Sequence, residues 1–173
     1  MGNIVFTFNP QKAIESIIYL AKRISEPELY DICKLLYVVD KLSLERYGRF
    51  VSGESYAALK EGATPSNTYN LLKSIDDNPI EGIKMRGTRI IALREANMDY
   101  LSESDVECLN RIIDEYGNAP YWVRGAIAHD KAWKDNWNQR GEKDSAPIPL
   151  ESIAELLKDS DDLLDYLSNG DAA

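Results

Sequence analysis

The sequence predicts an α+β fold that is predominantly α-helical, with a helical bundle around one central helix and a small β element. Three observations support this prediction. The chain has 173 residues, close to the roughly 150 residues of a typical single domain. Apolar residues recur with helical spacing over most of its length. Residues typical of β-strands are concentrated in two short segments, 50–60 and 83–94.

Two amphipathic helices are predicted in the first third of the chain. Asn9 and Pro10 supply an N-cap and a first turn for a helix over about 10–25. The second helix, over 27–47, is apolar around much of its circumference, which predicts that it is the central helix. Gly48 can adopt the left-handed conformation that ends a helix.

The predicted β element combines an extended segment with a hairpin. Residues 50–60 are predicted to be extended, and 62–66 to form a turn before a short helix that contains Tyr69. Residues 83–94 place strand-forming residues on both sides of a glycine, which is typical of a hairpin.

The hairpin segment carries four cations and no acid. These cations could bind an acidic partner or a phosphate backbone, or pair with the acidic C-terminal end of the chain. They could also be the solvated charges that keep an edge strand from aggregating. The four residues are Lys84, Arg86, Arg89 and Arg94.

The second half of the chain is predicted to be a series of helices. Ser102 caps a helix that ends near Gly117, and 120–137 forms one or two short helices. Residues 139–149 are polar and contain two prolines, which predicts a loop. An acidic helical segment follows over about 150–168.

The charge distribution is uneven. The net charge is −9, and from residue 150 onward seven acidic residues accompany a single Lys158, for a net charge of −6. Affinity for nucleic acid comes mostly from neutralising phosphates, so no direct nucleic-acid partner is expected. The longest apolar run, 17–21, is far shorter than the roughly 20 residues that span a bilayer, so no membrane association is expected.

The residues that could support catalysis are few. Cys33 and Cys108 lie in apolar helical patterns and are predicted to be reduced core thiols of a cytoplasmic protein. His129 is the only histidine, and it could be a base oriented by Asp130. Adjacent helical residues point about 100° apart, which favours a packing role for His129 beside Trp133. The sequence also leaves open a hydrolase whose catalytic groups are carboxylates alone.

No nucleotide or metal motif is present, so neither a cofactor nor a metal is expected. The polar and aromatic residues over 47–66 are of the types found at protein interfaces, and core packing explains the aromatic ones equally well.

An ordered series of residues resembles the Panacea, or SocA-like, antitoxin family over residues 13–150. The series is Lys34, Tyr37, Asp40, Tyr47, Gly48, Gly53, Gly62 and Pro65, followed by Ser102, His129 and Trp133. The chain departs from the family's typical Gly-Pro-Val-Pro turn, because it has Gly-Ala-Thr-Pro at 62–65. The resemblance implies one Panacea domain over 1–173, with a core of about 10–150.

The resemblance implies a cytoplasmic antitoxin of a bacterial or prophage toxin–antitoxin pair, which neutralises its toxin by direct binding. It implies no enzymatic activity, cofactor or metal. For at least one branch it also implies delivery of the toxin to an ATP-dependent protease, so a proteolytic adaptor is the alternative, and a small enzyme using His129 ranks below both.

The surface predicted to contact the toxin has two parts, the residues around the turn and the acidic C-terminal segment. The candidates are Arg49, Ser52, Tyr56, Thr64, Ser66, Tyr69, Asp161, Asp162 and Asp165.

Overall fold

A computed structural model describes residues 5–169, and within them it contains eight α-helices and two antiparallel sheets. From the N-terminus, the helices are α1 Pro10–Arg23, α2 Leu29–Tyr47, α3 Ser66–Lys73, α4 Glu103–Tyr116, α5 Tyr121–Ala126, α6 Lys131–Asn138, α7 Leu150–Ala154 and α8 Ser160–Ser168. The strands are β1 Tyr56–Leu59, β2 Gly62–Pro65, β3 Ile83–Arg86, β4 Arg89–Ala92 and β5 Ala146–Ile148. The predominantly helical α+β fold is therefore confirmed.

The helix ends follow local capping chemistry. The Asn9 side chain accepts a hydrogen bond from the Lys12 backbone N–H at the start of α1. Gly48 ends α2 in the left-handed conformation, with φ of 72°. Ser102 and Asp105 form a capping box at the start of α4. These boundaries depend on neighbours in sequence, which is why the sequence predicted them closely.

The central helix α2 lies between two clusters of buried apolar side chains. Ile32, Leu35 and Val39 pack with α1, α4 and the β3–β4 hairpin. Tyr37 and Leu44 belong to the other cluster, which includes residues of β1, β5, α6, α7 and α8. The helix is hydrophobic around much of its circumference because it faces both clusters.

The β-structure differs from the prediction in two ways. The predicted single element is instead two separate sheets, one with strand order β2-β1-β5 and the other formed by β3 and β4. In addition, residues 62–65 form a strand rather than a turn, and the predicted loop 139–149 contains β5. β2 pairs with β1 across the two residues 60 and 61. β5 pairs with the same strand from a distant part of the chain, so its conformation depends on that contact.

The acidic C-terminal segment is part of the folded core. Leu150, Ile153 and Ala154 of α7 and Leu167 of α8 are buried in the second cluster. No helix within residues 5–169 is long and apolar enough to cross a membrane.

Candidate functional site

Asp40 of α2 lies buried against the loop and strand that follow this helix. Its carboxylate accepts a hydrogen bond from the Val51 backbone N–H at 2.8 Å and from the Tyr56 hydroxyl at 2.6 Å. Burial raises the pKa of Asp40 to about 7, although both hydrogen bonds act in the opposite direction. This contact fixes the start of β1 against the central helix.

Glu54 holds the N-terminus of α3. One carboxylate oxygen accepts from the Asn67 backbone N–H and the other from the Thr68 backbone N–H, each at 2.9 Å. The Thr68 hydroxyl also donates to Glu54, at 2.8 Å. Glu54 is not predictable from the sequence as a cap, because a capping acid normally lies within three residues of the helix start and this one lies twelve residues before Ser66.

Asp130 connects α2 to α6. One of its oxygens accepts from the Trp133 backbone N–H at 3.0 Å, which caps α6. The other accepts from the Tyr37 hydroxyl at 2.6 Å and from Lys41 Nζ at 2.9 Å. Burial next to this carboxylate raises the pKa of Tyr37 well above its ordinary value. Asp130 therefore positions helices, and its oxygens are engaged away from the His129 ring.

His129 packs against the Trp133 ring, with 4.5 Å between ring centroids. Its Nδ1 lies 2.7 Å from the carbonyl oxygen of Gly125, and its Nε2 lies 3.3 Å from that of Lys60. Trp133 Nε1 donates to the Leu59 carbonyl at 2.6 Å. These contacts attach the α5–α6 corner to the β1–β2 turn, which supports the packing role for His129.

Arg49, one of the predicted contact residues, is engaged within the fold. Its Nη1 donates to the fully buried Asp105 at 3.0 Å, and its Nη2 donates to Ser104 at 2.8 Å. Lys12 Nζ lies 2.7 Å from the same Asp105 carboxylate. Burial alone would raise the pKa of Asp105, but the hydrogen bonds from Lys12 and Ser102 outweigh it and lower the pKa. Asp105 therefore holds α1, α4 and the end of α2 together.

The four cations of the hairpin segment do not form one exposed surface. Arg94 forms a two-pronged contact with the buried Glu15, at 2.7 Å and 2.9 Å, and its Nε donates to Glu81 at 2.8 Å. Arg89 pairs with Glu26 at 3.3 Å. These two cations therefore pair with acids of the chain itself. The acids are Glu15, Glu81 and Glu26 rather than those of the C-terminal segment. Lys84 and Arg86 are exposed.

The predicted turn cluster divides into separate groups. Thr64, Ser66 and Tyr69 line one shallow depression together with residues of β1 and the loop before β5. Arg49 lies at α4, and the Ser52 carbonyl accepts from the Asn9 backbone N–H at 2.8 Å near the start of α1.

Burial reduces the number of predicted turn residues that could contact a partner. Tyr56 and Thr64 are buried, so neither side chain is available to a partner in this structure. Ser66 and Tyr69 are partly exposed.

The acidic candidates share one exposed surface. Asp161, Asp162 and Asp165 are all exposed on α8, whereas Leu167 of the same helix is buried. Asp162 also lines a groove between α8 and the end of α2, opposite Arg46. We call the three exposed carboxylates the α8 acidic face.

The two cysteines and the remaining acids show no arrangement typical of a reactive centre. Both thiols are buried, and burial raises the pKa of Cys33 to about 12 and that of Cys108 to about 11. Within residues 5–169, no three His, Cys, Asp or Glu side chains are grouped so that they could hold a metal ion.

A comparison with known protein families gives a match. The family model for the antitoxin SocA-like, Panacea domain matches residues 32–134, more than half of the chain. The chain belongs to this family. No curated protein and no solved structure matches it significantly.

The Panacea match begins in α2 and ends in α6. It is narrower than the resemblance over 13–150. It contains Asp40, Glu54 and Asp130, so the internal contacts between α2, β1, α3 and α6 belong to the Panacea part of the chain. The α8 acidic face lies outside the matched residues.

The departure from the Panacea turn has a structural counterpart. Ala63 occupies the position of the family's first proline, and its backbone N–H donates to the Ala128 carbonyl at 2.8 Å. Proline has no N–H, so a proline at position 63 could not make this hydrogen bond between β2 and the α5–α6 corner. At the adjacent Gly62, a Cβ would lie only 2.8 Å from the Ala128 Cβ.

Proposed function

We propose that this Panacea domain is the antitoxin of a bacterial or prophage toxin–antitoxin pair and acts in the cytoplasm. It neutralises its toxin by direct binding. The observation that carries this proposal is the family match over residues 32–134. Neutralisation requires only that the complex outlast the toxin's encounters with its target, and a nanomolar complex corresponds to about −12 kcal/mol.

The internal contacts support a binding role rather than a catalytic one. Asp40, Asp105 and Asp130 engage backbone N–H groups, hydroxyls or cations of the fold itself. His129 contacts carbonyl oxygens and an aromatic ring. We therefore assign these titratable groups to holding the elements in place, so that exposed side chains on other elements meet the toxin.

The α8 acidic face is the charged part of the proposed contact surface. Three exposed carboxylates on nine residues of helix, in a chain of net charge −9, attract a cationic protein. Complementary potentials mainly raise the association rate and the specificity of a complex. The exposed parts of Ser66 and Tyr69, and the remaining exposure of Arg49, are further candidate contacts.

The test is co-expression with the product of the reading frame next to this chain's gene. The product must arrest growth when expressed alone, and wild-type chain must restore growth and co-purify with it in a fixed ratio. Removing residues after 149 is a poor test, because it also removes buried side chains of α7 and α8. Substitutions of exposed residues separate binding from folding.

The adaptor alternative predicts a different outcome of the same experiment. If purified chain inhibits the purified toxin without a protease, no adaptor role is needed. If inhibition requires an ATP-dependent protease and the toxin is degraded, the adaptor function replaces direct neutralisation.

A further inference from the structure

A short helix exposes large apolar side chains that the fold does not use. Tyr121 is 76% exposed, Trp122 is 66% exposed and Val123 is 36% exposed. They are consecutive residues of α5, a helix with no buried residue. We call these three side chains the α5 knuckle. Tryptophan and tyrosine are the residue types most enriched among energetically dominant interface contacts.

Contacts of the residues that follow the α5 knuckle attach this helix to the rest of the fold. Arg124, the next residue, pairs with Asp31 of α2 at 3.5 Å, and both side chains are less than one-fifth exposed. The His129 ring contacts the Gly125 carbonyl. The Tyr121 and Trp122 rings are in edge-to-face contact, with 5.6 Å between centroids. Tyrosine and tryptophan side chains have only two torsions to order, so they lose little conformational entropy when they bind, which favours their use as anchors.

The sequence on both sides of the knuckle is apolar in an otherwise highly charged chain. Residues 117–128 contain a single charged residue, Arg124, which is already paired. Apolar surface of this kind is costly to expose to water and commonly marks a contact site.

The helices α5 and α8 that carry the knuckle and the acidic face contact the same side of the central helix. Gly125 of α5 lies close to Lys34, and Gly48 lies against Tyr166 of α8. Lys34 and Gly48 are fourteen residues apart, which is about 21 Å along a helix and about 40° around it. A standard interface of about 800 Å² per partner is wide enough to include both.

Charge indicates which kind of protein fits this surface. The α8 acidic face lies at one end of the proposed surface. Asp114 and Glu115, the latter paired with Arg111, are exposed at the end of α4, a few residues before the knuckle in the sequence. A partner that contacts an apolar centre bordered by carboxylates is expected to be cationic, with an apolar pocket for the rings.

We propose that Tyr121, Trp122 and Val123 are the anchor of the toxin interface and enter an apolar pocket on a cationic toxin, with the α8 acidic face on the same contact surface. This inference rests on the proposed antitoxin function and names the part of the surface that holds the toxin.

The experiment uses the full chain and the purified product of the adjacent reading frame, with affinity and rates measured by surface plasmon resonance. Trp122→Ala and Tyr121→Ala are expected to weaken binding, by at least about thirty-fold for Trp122, mainly through faster dissociation. Tyr100→Ala is the matched control, since Tyr100 is 45% exposed and lies outside α5. It is expected to change affinity less than about three-fold. Unchanged melting temperatures establish that the variants fold.

The failures are distinguishable. If wild-type chain neutralises the product but Trp122→Ala binds equally well, the anchor is overturned while the antitoxin function stands. If the toxin is acidic, the proposed partner chemistry is wrong. If Trp122→Ala converts a dimer of this chain to a monomer with unchanged toxin affinity, the knuckle is instead a contact between two copies. If wild-type chain neutralises nothing, the function and the anchor fail together.

Discussion

The Asp40 carboxylate in the central helix accepts a hydrogen bond from the Tyr56 hydroxyl in β1 at 2.6 Å, and both side chains are buried. Tyr56 was predicted as a contact residue, yet its hydroxyl is directed to an acid sixteen positions earlier in the chain. Its ring lies 5.0 Å from that of Tyr37 and 5.4 Å from that of Phe50. Tyr56 therefore stabilises the junction of α2 with the sheet.

Asp40 makes stability depend on pH. Its folded pKa of about 7 is above the roughly 3.9 of an unfolded chain, so the folded state binds the proton more tightly. The resulting stabilisation is full below about pH 4 and is lost as the pH rises through 7. We expect the melting temperature to fall between pH 5 and pH 8, and Asp40→Asn to reduce that fall.

The matched control for Asp40 is Asp161→Asn on the exposed α8 acidic face, which should leave the pH dependence unchanged. Glu15 and Asp105 do not contribute to the fall in melting temperature between pH 5 and pH 8. The hydrogen bond from Arg94 lowers the pKa of Glu15. Burial would raise the pKa of Asp105, but the hydrogen bonds from Lys12 and Ser102 lower it. The stabilisation that these two acids provide is therefore lost at a more acidic pH than that of Asp40. An equal slope in Asp40→Asn would contradict the prediction.

Tyr37 is expected to contribute more to stability than Tyr47, although both hydroxyls donate to a carboxylate at 2.6 Å. Tyr37 is buried and binds Asp130, whereas Tyr47 is exposed and binds Glu107. Tyr37→Phe removes a buried bond to a charged group and should cost about 1.5–3 kcal/mol of unfolding free energy. Tyr47→Phe should cost much less. Urea denaturation of both variants measures the difference, and equal losses would disprove it.

Gly53 is required by a close approach of two backbones. Its φ is 69°, and a Cβ there would lie 2.0 Å from the Thr7 carbonyl oxygen. Gly87 has a similar φ of 62° with no atom within 4 Å of its Cβ position. We expect Gly87→Ala to cost about 1–2 kcal/mol from backbone strain alone. Gly53→Ala should cost clearly more, because Thr7 must also move, and thermal denaturation of both variants tests this.

The α8 acidic face is expected to accelerate toxin association. Reversing Asp161, Asp162 and Asp165 to lysine should slow association about tenfold at low salt and reduce its salt dependence, with a smaller effect on dissociation. Stopped-flow measurements across ionic strengths provide the test.

The control for this charge reversal changes an equal number of exposed acids elsewhere, at Asp76, Asp77 and Asp99. If that variant slows association as much as the α8 variant, net charge rather than the position of the face determines the rate.

The features that could be predicted from the sequence depend on neighbouring residues. The start of α1 at Pro10, the end of α2 at Gly48 and the cap of α4 at Ser102 all depend on residues within four positions of the helix end. The apolar pattern of 27–47 identified the central helix for the same reason, since helical periodicity is visible in consecutive residues.

The rest depended on contacts between distant parts of the chain. Residues 146–148 form a strand because β1, which is distant along the chain, lies beside them, and Glu54 caps α3 from twelve residues before Ser66. The sequence identified Tyr56 and Arg49 as candidate contact residues and did not single out Trp122, because only tertiary packing decides which of these side chains are exposed. Burial is a property of the assembled elements: it engages Tyr56 and Arg49 within the fold and leaves Trp122 exposed on α5.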